Sequence, residues 1–222
     1  MKSAVEHRVH IGEVIQNAAV FNFRRSLGDE MKSNTLLETV ARLFALLEER
    51  RIEYALAGGV ALLQYVEGRN TEDIDLVISP SSLEHLPEIR IANRDADFAR
   101  GDFDGVRVDL LLTSNSLFEN VRRNFVSPQH FVERDIPCAT VEGLLLMKMY
   151  ALPSLYRQGS FARVGLYEND IATLIHDYKP DIEPLFEEVA KHLSASDLAE
   201  VRGIISEILE RIERFEQGST SS

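Results

Sequence analysis

The sequence predicts an α+β fold: a small mixed β-sheet with flanking helices, followed by an α-helical C-terminal region. Three observations carry this. Short apolar runs between residues 52 and 112 alternate with the period of strands. The segment before them has the spacing of an amphipathic helix, and after Pro137 the texture turns to helical runs. The chain divides accordingly into an N-terminal helical extension over 1–33, a core over 34–137, a helical C-terminal domain over 138–217 and a frayed tail over 218–222.

Residues 1–33 read as short helical pieces. Ser33 or Asn34 caps a helix over 35–50, where Leu36, Leu37, Val40, Leu43, Phe44 and Leu47 recur at helical spacing and cover one face of a sheet. A short strand over 52–57 follows, then a turn at Gly58-Gly59 and a helix over 60–66 ending near Gly68. The next strand occupies 73–78 and is stopped by Pro80. Residues 89–112 read as short strands joined by a hairpin turn at Asp104-Gly105. Beyond Pro137, helices are expected over 141–152, 166–178, 182–193 and 195–215. The stretch 153–165 between the first two reads as a loop carrying Tyr156, Arg157, Phe161 and Arg163.

With 222 residues and 45% hydrophobic content, the chain can bury an ordinary globular core. Its single cysteine, Cys138, excludes an intramolecular disulfide or a cysteine-based zinc cluster and reads as a small core residue in a reducing cytoplasm. Neither a leader pattern nor an eighteen-residue apolar window occurs, so secretion and membrane spanning are not expected. A formal charge of −12 argues against coating nucleic acid through bulk electrostatics, although a local basic groove is compatible with it.

The chemistry concentrates around Asp73-Ile74-Asp75, thirteen residues beyond Gly58-Gly59. Strand alternation points Asp73 and Asp75 to one face and Ile74 and Leu76 to the other. Two carboxylates about 5 Å apart repel by roughly 3 kcal/mol at an effective dielectric near 20, so the pair requires a compensating charge, and a divalent metal supplies one. On the strand ending the hairpin, Arg107, Asp109 and Leu111 share a face, opposite Val106, Val108 and Leu110. Asp109 thus becomes a third carboxylate on a strand able to neighbour Asp73 and Asp75. The competing reading of the aspartates is a solvated edge strand. Gly58 and Gly59 before a helix let backbone N–H groups approach an anion such as a triphosphate, where a bare turn is the alternative. Arg69 and Thr71 precede the metal strand and could steady phosphates. His85, His130, His176 and His192 lack metal-ligand spacing and receive no role.

These residues resemble the nucleotidyltransferase fold superfamily, whose pattern is a hydrophobic residue, Gly, Gly or Ser, a spacer, then Asp-hydrophobic-Asp. Here it stands as Ala57-Gly58-Gly59 and Asp73-Ile74-Asp75, with Asp109 as third carboxylate. The chain looks most like the minimal bacterial branch that includes AbiEii-type and MenT-type toxins. The resemblance spans about residues 35–178 and implies a polymerase beta-like core. It implies Mg²⁺ or Mn²⁺ held by Asp73, Asp75 and Asp109, with an NTP such as ATP or CTP as substrate. Lys148 would contact its phosphates, and Asp170 would orient Lys148 or a nearby site group. For Lys148 the competing reading is a snorkelling surface lysine; for Asp170 it is a dipole-favourable acid in a helix's first turn.

The implied reaction moves NMP to an acceptor hydroxyl and releases pyrophosphate. The branch points to the 3′ end of tRNA and to a toxin with a cognate antitoxin, with Arg24, Arg25, Arg122, Arg123, Arg157 and Arg163 as phosphate contacts. A protein hydroxyl or a small molecule such as an aminoglycoside suits the same donor machinery. The alternatives are an antitoxin of this fold that modifies or binds a partner toxin, a nucleotide-binding module, or a helical scaffold with no ligand.

Overall fold

The computed structural model describes residues 9–21, 33–66, 71–132 and 134–219. Arg24, Arg25, Arg69, the turn near Gly68, the end of the tail and much of the N-terminal extension lie outside them. The chain forms two compact units, residues 1–139 and 140–222.

The first unit contains α1 (Ile11–Phe21), α2 (Ser33–Glu49), β1 (Tyr54–Ala57), α3 (Gly58–Leu62), β2 (Asp73–Ile78), α4 (Pro80–Leu83), β3 (Arg90–Arg94), β4 (Phe98–Phe103), β5 (Val106–Leu112), α5 (Ser116–Asn124), β6 (Val126–His130) and β7 (Asp135–Ala139). Its strands form one seven-stranded sheet in the order β3-β4-β5-β2-β1-β7-β6. The sheet is mixed: β2 runs parallel to β5 and β1 to β7, and the other neighbours are antiparallel.

The two sheet faces differ because each strand alternates. Along β5, Val106, Val108, Leu110 and Leu112 are buried while Arg107, Asp109 and Leu111 are half-buried. Along β2, Ile74 and Leu76 are fully buried on the same side as that apolar row. Helix α2 covers this apolar face through Leu36, Val40, Leu43, Phe44 and Leu47, each burial contributing about 1.5–3 kcal/mol. The Arg42 guanidinium sits 5.1 Å from the Phe103 ring centre on that side. Helix α1 crosses α2 at Gly12, where any side chain would strike Leu37. On the opposite face, α5 packs over the far end of the sheet, with Phe118 5.2 Å from Phe98. Asn115 caps α5 by accepting from the backbone N–H groups of Leu117 and Phe118.

The expected turns are present. Asp104 and Gly105 both have positive φ, 47° and 89°, as a two-residue hairpin turn requires. Pro80 ends β2 and also opens α4 as its first residue, with Ser79 Oγ accepting from Ser82 N at 2.9 Å. Strands β6 and β7 depart from the sequence reading, which placed no strand between 113 and 137. Both contain a proline, and Pro128 stands opposite Pro137. Two residues without N–H groups can face each other only at a non-hydrogen-bonded pair, so the ladder loses nothing by their presence.

The second unit holds α6 (Val141–Arg157), α7 (Phe161–Tyr178), α8 (Glu183–Val189) and α9 (Ala195–Ser219). The loop expected over 153–165 is instead mostly helix. Pro153 lies buried inside α6, and the helix continues because Leu152 and Leu155 bury on either side of it. The stop is Gly159, at φ 64°: its N–H donates to Tyr156 O, and the next N–H, of Ser160, donates to Leu155 O. That pair of bonds is a Schellman closure, in which the left-handed residue is a glycine. Among the described residues, no helix is long and apolar enough to cross a membrane.

Candidate active site

Register assembles the site. Asp75 stands directly opposite Asp109 across the parallel pair β2–β5, and opposite Ala57 across the antiparallel pair β1–β2. Arg100 stands opposite Asp109 across β4–β5. One row across the sheet therefore reads Arg100, Asp109, Asp75, and ends where β1 turns at Gly58. The adjacent row on the same face reads Asp102, Arg107, Asp73. Strands lie about 4.7–4.9 Å apart, so these six charged side chains share one patch. All three aspartates predicted from the sequence belong to it.

Gly58 has φ 59°, and a methyl group added there would overlap Oδ2, Cγ and Cβ of Asp75. A methyl on Gly59 would stand 2.6 Å from Thr71 Oγ1. Both glycines are thus required by close approach, one to the Asp75 carboxylate and one to Thr71. Thr71 Oγ1 donates to the backbone carbonyl of Asp73 at 3.4 Å, which ties the approach of β2 to the glycine turn.

The carboxylates are balanced by arginines that the sequence reading left without a role. Arg100 grips Asp109 with a two-pronged fork, Nε to Oδ1 at 2.7 Å and Nη2 to Oδ2 at 2.6 Å. Arg107 donates through Nη2 to Glu72 at 2.9 Å, and its Nε lies 2.5 Å from Asp73 Oδ1. That last pair is close in charge but misaligned, so both buried atoms lack a hydrogen bond. Burial pushes the Asp73 carboxyl above the usual range; Arg107 opposes the shift and the neighbouring Asp109 adds to it. The Arg100 guanidinium is held above its ordinary value by its bond to Asp109, with Asp73 and Asp75 contributing.

The donor set suits a hard divalent cation such as Mg²⁺ or Mn²⁺: carboxylate oxygens, one of them buried without an aligned bond, beside a turn with no side chains. In the present arrangement, no three Asp, Glu, His or Cys side chains among the described residues converge closely enough to hold an ion.

In the second unit, Lys148 on α6 donates to Asp170 on α7 at 2.7 Å, and its Nζ lies 4.3 Å from the centre of the Tyr167 ring. The pair is buried, Lys148 at 7% and Asp170 at 1% exposure, so Lys148 does not snorkel. Because α7 begins at Phe161 rather than near 166, Asp170 sits mid-helix, and the first-turn dipole account of it falls. Cys138 is buried, and burial pushes its thiol up to about 12, which makes it a core residue.

Three of the candidate phosphate-contacting arginines are already in ion pairs: Arg122 with Glu53 and Glu119, Arg123 with Glu119, and Arg157 with Asp197. Arg163 is exposed.

The missed residue Arg100 had a signal. A two-residue turn centred on Asp104-Gly105 dictates which residues pair across the hairpin, and counting back from it sets Arg100 against Asp109.

No protein-family model matches the chain. No curated protein matches it either. Among solved structures, it is similar to ANT(2″)-Ia in complex with adenylyl-2″-tobramycin, at 11% identity over 68% of this chain and 93% of that one, with a TM-score of 0.50. It is also similar to an antigenic nucleotidyltransferase-like protein from Paracoccidioides brasiliensis, at 18% identity over 74% and 90% of the two chains and a TM-score of 0.48. The solution structure of the antibiotic-resistance factor ANT(2″)-Ia matches at 12% identity over 83% and 98%, with a TM-score of 0.45. At such identities the likeness speaks for architecture alone: a mixed sheet with flanking helices, followed by C-terminal helices, is the arrangement shared with the ANT(2″)-Ia structure.

Proposed function

We propose that this chain transfers a nucleoside monophosphate from an NTP to an acceptor hydroxyl with release of pyrophosphate. The observation that carries the reading is the cross-strand pairing of Asp75 with Asp109 beside a glycine turn pressed onto the Asp75 carboxylate. Asp73, Asp75 and Asp109 would hold Mg²⁺ or Mn²⁺, whose charge lowers the pKa of the attacking hydroxyl and steadies the leaving pyrophosphate. The acceptor oxygen bonds to the α-phosphorus, the bridging bond to the β-phosphate breaks, and Asp109 takes the acceptor proton. Gly58, Gly59 and Thr71 form the phosphate side of the site in this reading. The resemblance alone assigns Lys148 a contact to the triphosphate, with Asp170 to orient it.

For the acceptor, the resemblance to the toxin branch supports the 3′ end of tRNA, and with it a toxin paired with an antitoxin. A second reading has its own support. The charge is −12, and Arg122, Arg123 and Arg157 already face carboxylates, which favours a small cationic polyol over a polyanion. Tobramycin, which the ANT(2″)-Ia structure carries in adenylylated form, is of that class.

The purified chain is incubated with each α-labelled NTP, Mg²⁺ and, separately, total RNA, tobramycin or cell lysate. Label at a tRNA 3′ end supports the toxin, label on tobramycin the small-molecule reading, and label on one protein a modifying antitoxin. If wild type labels nothing, like an Asp75→Asn control, the transferase reading is wrong.

A further inference from the structure

Arg100 and Arg107 neutralise the same acidic patch in different ways. Arg107 is anchored twice, by a hydrogen bond to Glu72 and by its charge contact with Asp73. Arg100 hydrogen-bonds to a single acid among the described residues, Asp109, and both prongs of its fork are on that carboxylate. The other acid on the same face of β4, Asp102, already accepts from Arg90 at 2.8 Å and from Gly105 N at 3.0 Å. Arg100 is also half exposed, its side chain at 51% against 33% for Arg107, so it can leave for solvent.

A divalent ion on Asp109 would sit within a few ångströms of that guanidinium. The two cations would repel each other and draw on the same carboxylate oxygens. They therefore exclude one another.

We propose that Arg100 is a positioning residue that competes with the divalent cation for Asp109, holding the third carboxylate away from the metal until the ion displaces it. This rests on the nucleotidyl-transfer reading of the site. It makes metal loading in the absence of nucleotide weak by construction, and it explains why no three acids converge among the described residues although the register gathers them on one face.

The test is Mn²⁺ binding to the nucleotide-free 222-residue chain, followed by the electron paramagnetic resonance signal of free Mn²⁺. Arg100→Gln should tighten binding about fivefold, the worth of one partly exposed ion pair removed from competition. Arg90→Gln deletes a positive charge from the neighbouring strand β3 without touching Asp109, and should change affinity less than twofold. Equal tightening in both variants would mean a general charge effect, and no tightening in Arg100→Gln would mean no competition; either result overturns the proposal. Asp75→Asn should abolish the binding. Should it bind Mn²⁺ as wild type does, the failure belongs to the nucleotidyl-transfer site itself and not to the role of Arg100.

Discussion

Asp73 is held where a carboxylate is costly: half-buried, next to another acid, and with one oxygen lacking an aligned bond. An acid whose folded pKa lies above its unfolded value binds its proton more tightly in the folded state. Its favourable contribution is therefore present at low pH and lost as pH rises through the carboxylate range. At neutral pH, without metal, Asp73→Asn should raise Tm by about 2 °C or more, which corresponds to roughly 1 kcal/mol in a chain of this length. The gain should shrink in melts recorded at progressively lower pH through the carboxylate range, as the wild-type acid takes up its proton. The same variant should lose label transfer, since the group that destabilises the empty site is the one proposed to hold the ion. Lys148 presents the opposite case. Lys148→Ala removes the ammonium that the buried Asp170 carboxylate accepts from and should cost about 3–5 kcal/mol in denaturant unfolding. Lys148→Met combined with Asp170→Leu removes both charges, and should recover much of that stability without recovering activity.

Two glycines at turns allow a comparison between elements. Gly58 and Gly159 both have positive φ, yet an added methyl at Gly58 meets the Asp75 carboxylate whereas at Gly159 it meets nothing within 4 Å. Gly159→Ala should therefore cost about 1–2 kcal/mol, the penalty of a left-handed alanine, and leave Mn²⁺ binding unchanged. Gly58→Ala should cost more and abolish Mn²⁺ binding, because the methyl displaces a proposed ligand. Elements whose signals are local were the legible ones. The alternation of 73–78 and the Asp104-Gly105 turn gave β2 and the hairpin their places, and through them the three aspartates. Where a local signal pointed the wrong way, tertiary context decided. Pro153 reads as a helix stop, but buried leucines on both sides carry α6 through it to Gly159. Pro137 reads as the boundary before the helical region and Pro128 carries no reading, but each faces the other at a position that needs no N–H, a fact contained in a pairing and not in either segment. The Arg100–Asp109 fork was readable from the turn by counting; the Lys148–Asp170 bond needed the packing of α6 and α7, which spacing alone does not give.

To bind a triphosphate as proposed, a chain with a charge of −12 must attract a polyanion against its own field. The arginines of the β4–β5 hairpin only balance part of the local acid: the patch formed by Asp73, Asp75, Asp102, Asp109, Arg100 and Arg107 holds four carboxylates and two guanidiniums. Divalent cation and nucleotide should consequently bind together, each supplying the charge the other lacks. A ligand that binds the folded chain alone at one hundred times its Kd adds about 2.7 kcal/mol of stability, on the order of 5–10 °C in Tm for a chain of this length. Mg²⁺ with a non-hydrolysable NTP should give a shift of that order, and should exceed the sum of the shifts from Mg²⁺ and from NTP with a chelator. Asp75→Asn should remove the excess while leaving the ligand-free melt close to wild type or above it. A joint shift that merely equals the sum, or one that survives in Asp75→Asn, would mean that cation and nucleotide do not meet at this sheet, and the acidic row would then be a fold feature with no part in phosphate chemistry.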